Sequence, residues 1–288
     1  MDYLIAVGLE VVSGIASLVL ISIGLAVVFG MMKVINLAHG EFLMMGGYAT
    51  ITATKSGINI WVSILVIAPL VVGVIGLVVE RFVIRRLYGR VIDTMLATWG
   101  LSLLFVGLVT TIFGNTTAGI SSPLGSVDIG QVSVSAYKFF IIAVALTVIL
   151  ALYLLFKWSK FGLTARATMQ NADMASALGV DPSRVYAATF GIGSALAGLA
   201  GGVLAPITGV VPSIGAAFVA KAFITVIGGG STVLVGTLSA SSIFATVNQL
   251  ASFATTPVLG EVALLLSAMI LLRLLPHGIT GRFFKGRM

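Results

Sequence analysis

The feature that most constrains this chain is a series of apolar segments, each of about bilayer-crossing length, separated by short polar connections. A hydrocarbon core about 30 Å thick needs roughly 20 predominantly apolar residues per helical span. Apolar residues make up 59% of the 288 residues, charged residues only 9%, and the mean hydropathy is +1.17. A soluble globular domain does not have this balance. The sequence therefore predicts an all-α, polytopic transmembrane helical bundle.

The hydropathy pattern predicts about eight spans within a single transmembrane domain that covers residues 1–288. One region is ambiguous, because Gly228, Gly229 and Gly230 interrupt it, and both a full span and a re-entrant pair of half-helices fit it. The segments run over roughly 9–31, 38–54, 61–80, 92–113, 137–156, 185–207, the broken region 214–231, 232–253 and 257–275.

Basic residues are concentrated in three of the polar connections. The three groups hold twelve of the 16 Lys and Arg residues, whereas residues 114–136 carry only Asp128. Lys and Arg are enriched in cytoplasmic loops. We therefore expect the three groups on the cytoplasmic side of an inner (cytoplasmic) membrane, and residues 114–136 on the opposite side. Because the net charge of +7 follows this topology, it does not indicate nucleic-acid binding. The groups are Arg81, Arg85, Arg86 and Arg90; Lys157, Lys160, Arg166 and Arg184; and Arg273, Arg282, Lys285 and Arg287.

Residues 157–184 form a polar island between two apolar segments and hold six of the chain's 25 charges. Gly179 is a helix stop, and Asp181 followed by Pro182 is typical of the start of the next helix. The spacing predicts a helix over 164–178, about 22 Å long. Its small residues favour docking against a partner protein, and the alternative is an amphipathic helix that lies on the bilayer.

Glycine is abundant inside the predicted spans, above all in the segment 185–207. Lipid provides no hydrophobic drive between helices, so small residues that allow close backbone approach hold such bundles together. Gly198 and its neighbours Gly201 and Gly202 are therefore expected to pack tightly against other helices, in preference to forming a gating hinge.

The motif NLAHGE, residues 36–41, contains the acid and base types used in catalysis. His39 and Glu41 are two residues apart and do not share a helix face, and no metal-binding spacing accompanies them. We expect Asn36 to be the N-cap of the second span, with Glu41 in its first turn. Asn36, His39 and Glu41 are thus interpreted as a gate or structural motif, and neither a catalytic nor a metal site is predicted.

Polar residues within the spans are candidates for a translocation path. Thr98, Trp99, Asn248 and Gln249 are such residues, although helix–helix contacts are an equally simple role for them. Three charged residues, Asp93, Lys221 and Glu261, lie near predicted span ends, where interfacial anchoring is the alternative to a functional role. A path with so few charges suits a neutral or zwitterionic solute better than an ion.

Ordered blocks along nearly the whole chain resemble a known family. They are GLAVVFGMMKVINLAHGEFLMMGGY (24–48), VERFVIRRLYGRVIDTMLATWGLSL (79–103), FGLTARATMQNADMASALGV (161–180), IGGGSTVLVGTLSAS (227–241) and LLPHGITG (274–281). They resemble the permease subunits of the branched-chain (hydrophobic) amino acid class of bacterial ABC importers, which includes urea and short-amide relatives. The resemblance implies a type I ABC importer-like permease with a cytoplasmic coupling helix.

The same resemblance implies the partners of the chain. These are a paralogous second permease subunit or a second copy, two ATP-binding cassette subunits and a periplasmic solute-binding protein, within the lipid bilayer. The segment 158–184 would dock in a groove of the ATPase. Its expected contact residues are Arg166, Met169, Gln170, Asn171, Asp173, Met174 and Ala175.

No phosphate-binding loop occurs in the sequence, and GGGST at 228–232 lacks the lysine of that motif. The chain is therefore expected to be a transport subunit and not an enzyme, with no cofactor of its own and with ATP and Mg on the partner ATPase subunits. Branched-chain amino acids and urea or short amides both remain open as substrates. The rival classes are a secondary transporter or channel, which predicts a mid-span charge pair, and an intramembrane hydrolase.

Overall fold

The computed structural model describes residues 2–130, 132–230 and 232–283, and most of them are helical. The predicted all-α, polytopic class is confirmed. The helices are α1 (Asp2–Met32), α2 (His39–Lys55), α3 (Ile60–Phe82), α4 (Val91–Phe113), α5 (Tyr137–Trp158), α6 (Lys160–Gln170), α7 (Ala172–Ala177), α8 (Pro182–Thr208), α9 (Ile214–Gly229), α10 (Val233–Ala254), α11 (Pro257–Leu274) and α12 (Gly278–Phe283).

Within the described ranges, seven helices are long and apolar enough to cross a membrane: α1, α3, α4, α5, α8, α10 and α11. The predicted segments 38–54 and 214–231 correspond to the shorter helices α2 and α9. Most of the predicted bounds agree with the helices to within a few residues, and the main difference is that α1 begins at Asp2. The predicted cytoplasmic residues Lys285 and Arg287 lie outside the described residues.

The ambiguous region 214–231 takes neither of its two predicted forms. It contains one continuous helix, α9, of 16 residues, which is shorter than a full span and is not divided into half-helices. Helix α9 ends at Gly229, and the next residue, Gly230, has a φ of 87°, a left-handed conformation that glycine adopts without steric cost. The three glycines therefore mark the end of a helix and not a break within one.

A β-hairpin lies in the connection between α4 and α5, where the sequence predicted only a loop. Strands β1 (Ser126–Ile129) and β2 (Val132–Ser135) pair antiparallel, with Ser126 opposite Ser135 and Ile129 opposite Val132. The signal was the alternation of apolar residues on both sides of Gly130. Each strand has only four residues, so the pattern is too short to stand out in a hydropathy profile.

The chain divides into two compact units, and the first comprises residues 24–120 and 148–220. At its centre is α2, which packs against α8, α3 and α4 and has 12 of its 17 residues buried. The ring of Phe42 lies 5.8 Å from that of Phe105 and 6.1 Å from that of Phe190. A Cβ atom on Gly201 would lie 1.8 Å from the Leu43 carbonyl oxygen, so the predicted close packing of this glycine-rich helix is confirmed.

The second unit contains the described residues of 1–23, 121–147 and 221–288. Its core is formed by α1, α10 and α11, with Phe244 and the neighbouring aliphatic residues Leu18 and Leu264 fully enclosed. Backbones approach closely here too, because a Cβ atom on Gly229 would lie 2.5 Å from the carbonyl group of Gly236. Small residues thus set the helix spacing in this unit as well.

Candidate functional site

The polar island forms two helices and not the single helix predicted over 164–178. Asn171 adopts an extended conformation, with φ −156° and ψ 104°, and ends α6. Its side-chain Oδ1 then accepts a hydrogen bond of 2.9 Å from the Met174 N–H and caps α7. The single-helix prediction was wrong because an asparagine side chain competes for backbone donors and favours a cap over a helix interior.

The C-terminal end of the island is fixed by local hydrogen bonds, as the sequence predicted. After α7, Gly179 has a φ of 86°, and the N–H of Val180 donates to the Ala175 carbonyl at 3.0 Å, which is a Schellman stop. Asp181 then caps α8, because its Oδ1 accepts from the N–H of Ser183 at 3.0 Å. These bonds fix the connection between α7 and the span α8.

The predicted contact residues of the island are distributed over two faces. Met169, Gln170, Asn171, Asp173 and Met174 are exposed, and Arg166 is half-buried. Ala175 is only 3% exposed, so its side chain faces the protein and is not accessible to a partner. The sequence reasoning missed Leu178, which is 79% exposed beside Met174 at 61%. We refer to Met169, Gln170, Asp173, Met174 and Leu178 as the coupling surface.

A charged cluster joins the last turn of α3 to the connection that follows it, and we call Glu80, Arg85 and Tyr88 the Glu80 cluster. Glu80 is 1% exposed, and its carboxylate accepts hydrogen bonds from Arg85 Nε at 3.1 Å and from the Tyr88 hydroxyl. Burial, together with the adjacent Glu80 carboxylate, raises the pKa of the Tyr88 phenol, which therefore remains a protonated donor at neutral pH. The Tyr88 ring lies edge-on to Tyr186 of α8 at 4.9 Å.

The Glu80 cluster joins the 83–90 connection to the start of α8, directly after the coupling surface. We expect Glu80→Ala to lower the melting temperature of the purified chain in detergent by about 5 °C, because it leaves Arg85 and Tyr88 without their common acceptor. Glu80→Gln retains an acceptor oxygen, so we expect it to lower the melting temperature by less than Glu80→Ala does. The control is Asp93→Ala, which removes the exposed ion pair with Arg90 and should shift the melting temperature little. Equal shifts for Glu80→Ala and Asp93→Ala would contradict this role.

The NLAHGE motif builds the buried turn that precedes α2. Asn36 is not the N-cap itself, because that position is Ala38; its Oδ1 accepts a hydrogen bond of 3.1 Å from the Ala38 N–H. The prediction was displaced by two residues because an asparagine side chain can stabilise a turn before the helix as well as cap it. His39 and Glu41 are buried, and Glu41 lies in the first turn of α2 as predicted.

The surroundings of Glu41 are formed by other helices of the same unit. The Ser102 side chain hydrogen-bonds the Glu41 carboxyl group, and a Cβ atom on Gly215 would lie 2.7 Å from Glu41 Oε1. Within the described part of the chain, Glu41 Oε2 has no hydrogen-bond partner. The packing indicates a structural role, and a gate role for Asn36, His39 and Glu41 stays a prediction.

The four candidates for the translocation path are divided between the two units, with Thr98 and Trp99 in the first and Asn248 and Gln249 in the second. Thr98 is buried, and its hydroxyl accepts from the Leu37 N–H at 3.1 Å and lies 3.2 Å from the Ile35 carbonyl. It therefore holds the connection before α2 against α4 and is not accessible to a solute. Trp99 is exposed on α4, and its role in a path stays a prediction. Asn248 and Gln249 are half-buried in the other unit, where the Gln249 amide packs against Gly14.

The sequence reasoning also missed an ion pair between α9 and α11. Lys221 Nζ lies 2.6 Å from Glu261 Oε1, whereas the sequence predicts two separate groups near span ends. Lys221 is at the middle of α9, and the available signal was a lysine inside the apolar stretch FVAKAFITV. The partner could not be identified from the sequence, because pairing depends on how α9 and α11 pack.

Comparisons with known proteins agree with this architecture. The sequence profile of the family described as branched-chain amino acid transport system / permease component matches residues 8–275. The LivH high-affinity branched-chain amino acid transport system permease of Escherichia coli K12 is 30% identical over 97% of this chain and 91% of its own length. The Salmonella typhimurium LivH protein has the same identity and coverage. A probable LivH permease of Methanocaldococcus jannaschii is 28% identical over 87% of this chain and 84% of its own. No solved structure matches significantly. The chain therefore belongs to the family of branched-chain amino acid transport system permease components.

Proposed function

We propose that this permease forms the membrane passage through which branched-chain amino acids are imported. The observation that carries the proposal is the similarity, over 97% of the chain, to permeases named for branched-chain amino acid transport. The proposal prefers this substrate class to urea and short amides, which the sequence alone left open.

Membership of the family also defines what the chain is. It is a multi-pass protein of the inner membrane and a transport subunit of an ABC importer, not an enzyme. An ABC importer permease works with ATPase and binding-protein components. We propose the finer composition as well: a second permease that is a paralogue or a copy of this chain, two ATP-binding cassette subunits that bind ATP and Mg, and one periplasmic binding protein.

The coupling surface is proposed as the contact with the ATPase. It exposes the apolar side chains of Met174 and Leu178 on a segment that also carries Asp173 and Gln170. Exposed apolar residues surrounded by polar ones are typical of a protein interface. At the start of α6 the Gly162 N–H donates to Ser159 Oγ at 2.9 Å, and Asp181 caps α8 beyond α7. Because the segment is held at both ends, a movement of the ATPase would be transmitted directly to α5 and α8.

The substrate is tested by uptake into cells that express the chain together with its neighbouring importer genes. We expect unlabelled leucine, isoleucine and valine, each in tenfold excess over labelled leucine, to reduce its uptake by about 90%, since competing solutes share one route. Urea and acetamide at the same excess are expected to have no effect. Cells that lack the ATPase serve as the control for uptake by other transporters. Competition by urea or acetamide alone would move the chain to the amide class.

A further inference from the structure

The ion pair between Lys221 and Glu261 is unusual in its position. Lys221 lies at the middle of the apolar helix α9, and Glu261 lies in the second turn of α11, one of the seven helices, within the described ranges, that are long enough to span a membrane. Their side chains remain 29% and 46% exposed, so neither is enclosed within its own unit.

Partial exposure at this position restricts what the pair can face. A charged side chain in contact with lipid is costly, and Lys and Glu within transmembrane segments face either protein or a water-filled cavity. Mutual pairing reduces that cost but does not remove it, because both groups still lose water. The face that carries Lys221 and Glu261 is therefore turned towards water or another protein and not towards lipid.

The direction of α11 places Glu261 on one side of the membrane. Arg273 lies in the last turn of α11, and the excess of basic residues in cytoplasmic segments places that end inside. Glu261 lies near the opposite end of α11, so the ion pair lies beside the outer half of α11. A solute released by a periplasmic binding protein enters from this side.

We propose that Lys221 and Glu261 bind the zwitterionic backbone of an α-amino acid at the outer end of the translocation path. The solute ammonium group pairs with the Glu261 carboxylate, and the solute carboxylate pairs with the Lys221 ammonium group. With no solute bound, the two side chains pair with each other at 2.6 Å. The exchange keeps every charge paired, so opening the pair for a zwitterion costs less than opening it for a neutral solute. This inference rests on the proposed amino acid substrate.

The test uses the complete importer in proteoliposomes, with leucine-loaded binding protein at saturating concentration. The decisive variant is the charge exchange Lys221→Glu with Glu261→Lys, which retains an ion pair but reverses its direction. We expect the exchanged complex to assemble and to keep its ATP hydrolysis, while maximal leucine uptake falls about tenfold, so that more ATP is consumed per leucine. Full uptake by the exchanged complex would show that the pair only joins α9 to α11 and would overturn the inference.

A second variant keeps the test decisive if the exchanged complex does not assemble. Lys221→Arg combined with Glu261→Asp preserves both charges and moves the charged groups, and we expect maximal uptake to fall by at least threefold, an effect of about 0.7 kcal/mol. The matched control is Lys138→Arg combined with Glu10→Asp, which alters another interhelical ion pair and should leave uptake unchanged. Unchanged uptake in the Lys221 and Glu261 variant would contradict the inference. Failure of the wild-type complex to import leucine would instead contradict the proposed substrate.

Discussion

Gly198→Leu is expected to abolish the accumulation of folded permease in the membrane. A Cβ atom at this position would lie 2.7 Å from the Ala68 carbonyl oxygen and 2.7 Å from Val72 Cβ. The backbone of Gly198 in turn lies against Gly46, where an added Cβ would be 2.2 Å from the Gly198 carbonyl oxygen. Three helices, α2, α3 and α8, meet here. A leucine must therefore separate backbones and not merely displace a flexible side chain, and we expect a cost above about 3 kcal/mol.

The matched control for this substitution is Gly107→Leu. Gly107 lies within α4, another predicted span, but apart from the adjacent turns of α4 itself no atom of the described residues lies within 4 Å of an added Cβ there. We expect the Gly107 variant to reach wild-type levels in the monodisperse fraction of a fluorescence-detected gel filtration, while the Gly198 variant is lost. Normal amounts of monodisperse Gly198→Leu protein would mean that the described packing of α8 is wrong.

Met174→Glu combined with Leu178→Glu is expected to reduce ATP-driven uptake by about a hundredfold without affecting membrane insertion. Both side chains are mostly exposed, at 61% and 79%, so the substitutions cost little within the chain itself. On the proposed interface they introduce two charges where apolar groups are desolvated against the ATPase, and truncating or charging such anchors typically costs 2 kcal/mol or more. Uptake and co-purification of the ATPase should be lost together.

The control for the coupling surface is Val127→Glu, an apolar position, 45% exposed, in the hairpin of the 114–136 connection, which the distribution of basic residues predicts to lie outside the membrane. It is expected to leave ATPase binding intact.

Ala172→Trp should also uncouple transport, because α7 presents this half-buried alanine beside exposed residues. Ala175→Trp is not a clean test, since Ala175 is buried and a large side chain would disturb α7 itself. Wild-type uptake by the double glutamate variant would contradict the interface.

The spans could be predicted because bilayer thickness fixes how long an apolar helix must be, and their ends follow from local capping. Gly179 and Asp181 act as the sequence indicates, because these residues satisfy backbone groups within a few positions of themselves. The break at Asn171 was missed, since the same side chain fits both a helix interior and a cap. Hydropathy alone also did not resolve the four-residue strands of the hairpin.

The site was less predictable than the fold, because its geometry depends on contacts between distant segments. Thr98 is a polar residue inside a span, as a residue of the translocation path would be. Packing of α4 against the connection before α2 buries its hydroxyl, which forms hydrogen bonds with backbone groups of that connection. The pairing of Lys221 with Glu261 spans 40 residues, and the Glu80 cluster is recognisable only when the 83–90 connection is folded against α8. Residue type identified candidates, while tertiary packing decided which of them are accessible.

The most direct measurement is site-specific cross-linking of the coupling surface to the ATPase in native membranes. The chain contains no cysteine, so a single introduced cysteine reports on one position. With a short bifunctional thiol reagent, Leu178→Cys is expected to form a covalent adduct with the ATPase subunit, whereas Val127→Cys is not. An adduct at position 178 that disappears with the Asp173→Lys variant would locate the contact to this face. Absence of any adduct at 178 in an assembled, transporting complex would contradict the assignment of residues 158–184 as the segment that couples this permease to ATP hydrolysis.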